Sequence, residues 1–420
     1  MLKVRSIVAT KRSSWISKQL QEVTTKIGSG ATPLGGEAAY KLAGTSLIRS
    51  LNVHDGAFKW KNLAFIDDEQ SAQLSNVVVE ENDVLLNITG ASVARCCIVP
   101  ADVLPARVNQ HVAIIRPRAD ILLPQFLQHM LVAAEYKDRL LGVGESAGST
   151  RQALTKAQLQ HFPVDFPASL EEQHRIVALL DEAFEGIATA KASAKKNLRN
   201  ARELFESRCD AVLARTVDGY VNTTLGSELE LLSGYAFPSG GYTNEANSTR
   251  LLRGDNIMQG YLRWDDAKTW PVEKCNAYSR FALDAGDVVL AMDRPWVKAG
   301  LKRAQVSAED LPCLLVQRTA RLRPKKRLNK EFLFHLIGSR SFSQHLLEVQ
   351  TGLGVPHISA KQIENFRFML PRIEDQQVIA SELQSLLQNT QMLTELCERK
   401  LAALEELKKS LLQLAFSGAL

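Results

Sequence analysis

The sequence predicts an α+β chain in which two similar strand-rich domains are separated by two long helices forming an antiparallel coiled coil, as a pseudo-two-fold internal repeat. Three observations carry this expectation. The chain is written twice at an offset of about 204 residues. Heptad stripes fill the two segments that follow the repeated blocks. The blocks themselves are punctuated by short β-branched runs bounded by Asn, Asp, Gly and Pro.

The repeat is plainest in Asn52-Val53-His54-Asp55-Gly56-Ala57-Phe58-Lys59-Trp60, answered by Asn256-Ile257-Met258-Gln259-Gly260-Tyr261-Leu262-Arg263-Trp264. The same offset pairs Arg49 with Arg253, Asp83-Val84-Leu85-Leu86 with Asp287-Val288-Val289-Leu290, and Phe162 and Pro167 with Phe366 and Pro371. Glu172-Gln173-His174-Arg175-Ile176 then pairs with Asp375-Gln376-Gln377-Val378-Ile379. A period this long is no solenoid, whose units are roughly 20–50 residues, and marks a duplicated domain-plus-helix unit. Between the matched segments the copies agree poorly, as in 89–107 against 293–315. A duplicated frame with divergent loops suits two different recognition surfaces in one geometry.

From Leu170 to about Arg215 there is no proline and one glycine, Gly186. Ile176, Leu180, Ala183, Ile187, Ala190, Ala194, Leu198, Ala201, Phe205 and Val212 recur at steps of four and three, broken only by Arg208. Ile379, Leu383, Leu386, Leu393, Cys397, Leu404, Leu407, Leu411 and Leu414 repeat the pattern. Each helix would be about 65 Å long, and each stripe needs the other as partner. In the blocks, Val77-Val79, Asp83-Ile88, Val112-Ile115 and Ala320-Arg323 read as strands, and 124–141 and 330–347 as helices. The expected division is 1–167 and 217–370 for the domains and 168–216 and 371–420 for the helical spacers.

Composition is that of a soluble globular protein: 45% apolar, 23% charged, net charge +5. The excess positive charge sits in the two blocks, with 18 basic and 15 acidic groups in 1–167 and 20 and 16 in 217–370, while 371–420 carries 5 and 7. That distribution is permissive for a phosphate backbone. No signal peptide and no membrane span are expected, and the six cysteines show no metal spacing, so a cytoplasmic protein with free thiols is expected. His129 and His335 read as helix-packing residues.

Glu171-Glu172-Gln173-His174-Arg175-Ile176 after Pro167, Arg202-Glu203-Leu204-Phe205-Glu206-Ser207, and the closing run from Leu407 to Gly418 closely resemble the helical regions of type I restriction-modification specificity (S) subunits. Ile27-Gly28-Ser29-Gly30-Ala31-Thr32-Pro33, Leu86-Asn87-Ile88-Thr89-Gly90-Ala91-Ser92 and Val108-Asn109-Gln110-His111-Val112 resemble that family's target-recognition motifs. The resemblance spans nearly the whole chain. It implies a non-catalytic reader of double-stranded DNA, each target recognition domain taking one half of a bipartite asymmetric site and the helices setting the gap. It further implies two methyltransferase (M) subunits, which carry the S-adenosylmethionine, and endonuclease/translocase (R) subunits as partners; no cofactor is expected on this chain. The second block departs from the pattern, with Asp293-Arg294-Pro295-Trp296 in place of Thr89-Gly90-Ala91-Ser92, and Val316-Gln317-Arg318-Thr319 answering Val108-Asn109-Gln110-His111.

Candidate DNA-binding residues follow from chemistry and divergence. Gly28, Ser29, Gly30 and Thr32, placed after a first helix, offer amides and hydroxyls to phosphate. Arg49 and Asn52, repeated as Arg253 and Asn256, are residue types that contact phosphates or bases. Asn-x-x-x-Gly also builds turns, and a pair kept in both copies favours frame or backbone contact. Base readout is expected where the copies diverge: Arg95, Gln110, His111, Ser149, Thr150 and Arg151 in the first block; Arg250, Arg294, Lys298 and Arg318 in the second.

The rival readings are a DNA methyltransferase or nuclease in its own right, and a coiled-coil protein adaptor. The first lacks an Asp/Asn/Ser-Pro-Pro-aromatic tetrapeptide and a glycine-rich cofactor loop, and no G-x-x-x-x-G-K-S/T is present. Asp266-Ala267-Lys268 is a fragment of a nuclease-like pattern without its upstream acid.

Overall fold

Two strand-rich domains each carry part of the two long helices. The computed structural model describes residues 14–33, 35–145, 153–215, 217–297, 300–348 and 357–420. The chain forms two compact units, 1–194 with 398–420, and 195–397.

In the first unit an antiparallel sheet runs in the order Thr24–Ser29, Val112–Pro117, Val84–Asn87, Cys96–Ile98. A second sheet runs Ala64–Ile66, Thr45–Ile48, Ala106–Val108, Val78–Val79, with Thr45–Ile48 parallel to Ala106–Val108. Trp15–Gln19 pairs antiparallel with Pro163–Pro167 and leads into the central helix, Leu170–Leu213. The second unit repeats this plan. Leu229–Ser233, Thr319–Pro324, Val288–Ala291 and Arg303–Gln305 form the antiparallel sheet. Thr269–Pro271, Ser248–Leu252 and Cys313–Leu315 form the mixed one, again with one parallel pair. Val221–Thr224 pairs with Arg367–Leu370 before the C-terminal helix, Ile373–Phe416.

The residues the copies share hold this plan. Asp83, buried, accepts two bonds from the Arg116 guanidinium at 2.8 and 2.9 Å, and Asp287 does the same for Arg323 at 2.7 and 2.6 Å. Gln173, fully buried, accepts from Leu123 N at 2.9 Å and donates to the carbonyls of Ile121 and Pro167, both at 2.9 Å. Gln376 repeats the latch with Asn329 N at 2.7 Å and the carbonyls of Arg327 and Pro371 at 2.9 and 2.8 Å. Each glutamine thereby uses both amide hydrogens and its carbonyl oxygen, and locks the first turn of a long helix onto its own domain.

In each unit the helices run antiparallel. In the first, Ile176, Val177 and Leu180 share a core with Leu412, Ala415 and Phe416, and Lys191 pairs with Glu405 at 2.6 Å. In the second, Cys209 and Val212 share a core with Ile379, Ala380 and Leu383, and Arg208 reaches Glu382 at 2.8 Å. Cys209, not Arg208, takes the seam position, so the stripe continues from Phe205 through Cys209 to Val212. Leu393, Leu407 and Leu414, expected in the seam, are exposed, while Thr390 and Thr394 are half-buried.

Three further expectations are corrected. The Gly28-Ser29-Gly30 motif does not follow a helix. It ends the strand Thr24–Ser29, after the strand Trp15–Gln19 and a single turn at Leu20–Glu22. The helix expected over 124–141 is two, Pro124–Val132 and Ala134–Glu145, because Ala133 is extended. That over 330–347 divides into Lys330–Leu336 and Arg340–Glu348.

Candidate nucleic-acid interface

The loops at matching ends of the two antiparallel sheets form one cleft per domain. The first, of 360 Å³, is lined by Ser50, Thr89, Gly90, Ala91, Ser92, Arg95 and His111. The second, of 520 Å³, is lined by Tyr242, Arg253, Gly254, Asp255, Asp293, Arg294, Lys302, Val316, Gln317 and Arg318. Backbone bonds prove them equivalent. Ile88 N donates to His111 O at 3.0 Å as Met292 N does to Arg318 O at 2.8 Å, and Leu154 N donates to Ile88 O as Ile358 N does to Met292 O, both at 2.8 Å. The bridge between Thr89 and Ala153 recurs between Asp293 and His357.

This register corrects the sequence alignment by one residue: Leu315-Val316-Gln317-Arg318 answers Val108-Asn109-Gln110-His111. Gln110 therefore matches Gln317, and His111 matches Arg318. Asp293 and His357 were missed as site residues. An offset of 204 from Thr89 and Ala153 points straight to both.

In the first cleft the structure joins three predicted segments through hydrogen bonds. Thr32 hydrogen-bonds Gln110, the Gln110 amide lies 3.2 Å from His111 Nε2, and His111 Nδ1 lies 2.6 Å from Thr89 Oγ1. Arg95 lines the same cleft. Gly28 and Ser29 lie outside it, on a polar groove of 550 Å³ with Lys26 and Lys156. Gly30 is a packing residue: a Cβ there would stand 1.7 Å from Val108 O, and one on Gly234 2.1 Å from Val316 O. No side chain fits at either place.

In the second cleft Arg253, Arg294, Lys302 and Arg318 face two acids, Asp255 and Asp293. Asp293 forms an ion pair with Arg318 Nε at 3.1 Å and a hydrogen bond with the His357 ring. Arg294 (φ +45°) and Arg318 (φ +66°) both adopt left-handed backbone, and Arg294 stands where the first domain has Gly90 (φ +73°). Side-chain-bearing residues adopt that conformation at a cost, so an arginine there points to use of its side chain. Lys302 Nζ is bound to Gly254 O at 2.8 Å.

The remaining candidates sit elsewhere. Asn52 and Asn256 are buried and fold their own loops: Oδ1 accepts from the amide three residues back at 3.0 Å, and Nδ2 donates to Lys59 O at 2.8 Å and Arg263 O at 3.0 Å. Their side chains do not reach the surface. Arg49 is held by Glu37, Asn62 O and the Tyr40 ring, whereas Arg253, its counterpart, lines the cleft and pairs with Asp255 at 3.6 Å. Arg250 lies over the Trp264 ring and donates to Glu309 O and Leu311 O. Ser149, Thr150, Arg151 and Lys298 fall outside the described residues.

The type I restriction modification DNA specificity domain family matches residues 13–198 and 236–405. This chain belongs to that family. The match covers both domains and most of both helices, so the internal repeat is a repeat of the family's unit. Among relatives of the specificity family, the type I restriction enzyme EcoAI specificity subunit of Escherichia coli is 36% identical over 173 residues, 41% of this chain and 29% of that protein. The MjaVIII specificity subunit of Methanocaldococcus jannaschii is 24% identical over 354 residues, 81% of this chain and 80% of that one. The fold is shared with a chain of a solved type I R-M system at a TM-score of 0.76 and 19% identity, covering 97% and 98% of the two chains. It is shared with the HsdS subunit of Thermoanaerobacter tengcongensis at 0.61 and 20%, covering 97% of each.

Among the described residues no three His, Cys, Asp or Glu side chains gather as a metal site. No helix there is long and apolar enough to cross a membrane.

Proposed function

We propose that this chain is the sequence-reading subunit of a type I restriction-modification complex and performs no chemistry itself. Each domain reads one half of a bipartite, asymmetric site on double-stranded DNA. The paired helices set the gap and scaffold two methyltransferase subunits, which carry S-adenosylmethionine and modify adenine; endonuclease/translocase subunits join for restriction in the cytoplasm. The carrying observation is the pair of clefts at one backbone position of a repeated frame, lined by unlike side chains. A single active site has no need of two such seats, and a protein adaptor has no need of different chemistry in each.

Phosphate contacts give register without sequence information, and base edges are told apart by donor and acceptor pattern. Residues 1–167 and 217–370, each with a basic excess, are the two readers. Arg95, Gln110 and His111 belong to the first reading surface, with Ser149, Thr150 and Arg151 of the same block, and Arg294, Arg318 and Arg253 to the second, with Lys298 of its block. Gly28, Ser29 and Lys26 on their polar groove take a phosphate. The test is to exchange 217–370 for the equivalent block of a relative and read the methylated motif in a host carrying the methyltransferase subunits. One half of the motif should change while the other half and the gap remain; a change in both halves overturns the modular reading.

A further inference from the structure

We propose that Asp293 is a positioning residue that aims Arg318 at one guanine of the second half-site, with His357 fixing the carboxylate from its other side. This rests on the reading of the second cleft as a DNA-contacting surface. An arginine discriminates guanine when its two terminal donors meet O6 and N7 together, and an untethered side chain must lose rotamer freedom to do so. Here the tether exists before any ligand arrives. Asp293 Oδ2 holds Nε, the inner nitrogen, at 3.1 Å, and Oδ1 is taken by His357 Nδ1. The carboxylate side chain is 28% exposed and the arginine 69%, so the anchor is set into the fold while the arginine lines the cleft with Nη1 and Nη2 beyond the anchored nitrogen. Arg318 is also held in left-handed backbone, which a non-glycine residue rarely adopts without a reason in its side chain.

The first domain supplies the contrast. At the same backbone position His111 is held by the hydroxyl of Thr89, and its remaining ring nitrogen faces Gln110. That pairing offers no guanidinium. The two seats are therefore built for different base edges, and the second carries an arginine paired with an acid.

The full chain is expressed with its methyltransferase subunits in a host free of other adenine methylation, and the methylated motif is read from the host genome. R318A should relax discrimination at a single guanine of one half-site, roughly tenfold or more. R318K should relax the same position, because an ammonium has no fork. D293N should reproduce that position-specific loss and D293E recover part of it. An unchanged first half and gap report that each variant folds and assembles. A motif unchanged in R318A or in D293N overturns the proposal. So does loss of the whole motif in both R318A and R318K when soluble complex is recovered, since a single-base reader relaxes one position. A wild-type chain giving no bipartite motif overturns the DNA-reading function itself.

Discussion

The cleft of the first domain and that of the second share their backbone hydrogen-bond register and almost none of their chemistry. Thr89 and His111 make a hydrogen bond where Asp293 and Arg318 make an ion pair, and Gly90 gives way to Arg294 at the same left-handed turn. Outside the clefts the position is reversed. The Asp83–Arg116 and Asp287–Arg323 pairs, the Gln173 and Gln376 latches, and the Asn52 and Asn256 loops are the same device used twice. The lesson is a division of labour by depth: buried polar residues specify the frame, and exposed ones at its loop ends are free to differ.

The largest effect should come from breaking the frame. Asp83→Ala leaves Arg116 partly buried beside a missing partner, and Asp287→Ala does the same to Arg323, so each should destabilise its domain by roughly 3 kcal/mol or more. Urea unfolding of the two variants should show similar losses; a loss confined to one copy would break the claim of a shared frame.

The histidines sharpen the comparison. Burial, with the Arg303 guanidinium adding to it, pushes the His335 imidazole down to about 4. Burial also lowers His129, but Asp181, bonded at 2.8 Å, works against it. A lowered histidine pKa stabilises the fold fully above the unfolded value near 6.5, and that stability is lost as pH falls toward 4. The His335→Gln variant should therefore lose less stability than wild type on acidification from pH 7 to 4.5, by up to roughly 3 kcal/mol. His129→Gln should show a smaller difference. Equal acid sensitivity in both variants would remove the asymmetry.

The smallest effect separates stability from reading. Arg294→Gly restores the residue best suited to its turn and should stabilise by about 1 kcal/mol while weakening DNA binding; Gly90→Arg should cost about as much. Thermal unfolding beside a DNA shift assay with the methyltransferase subunits tests both. An Arg294→Gly chain that binds as wild type would show that its left-handed arginine serves no contact.

The long helices were legible because a proline-free heptad stripe has one physical reading, and the latch residues because they stand after Pro167 and Pro371 at nearly one offset. The strands around Val84 and Val112 were legible from their β-branched runs. Two things were not. The parallel pairing of Thr45–Ile48 with Ala106–Val108 joins segments about sixty residues apart, and nothing local announces it. The offset slips from 204 at Asp293 to 207 at Arg318, so pairing Val316 with Val108 by residue type, at an offset of 208, misplaced the segment answering 108–111 by one residue until backbone bonds set the register. Whether Asn52 faced a base or its own loop was undecidable from residue type, since one amide serves both; burial settles where it points.

The glutamine latch has a mechanical consequence. Gln173 ties the start of a 44-residue helix to its domain through three bonds to three separate backbone groups, and Gln376 does so again. The three bonds meet one amide on the first turn and fix its orientation, so the helix cannot roll there without breaking them. Each domain is therefore geared to its helix as a key is to its shaft, and a torque on the reading surface is carried along the helix as twist instead of being lost in a loose joint.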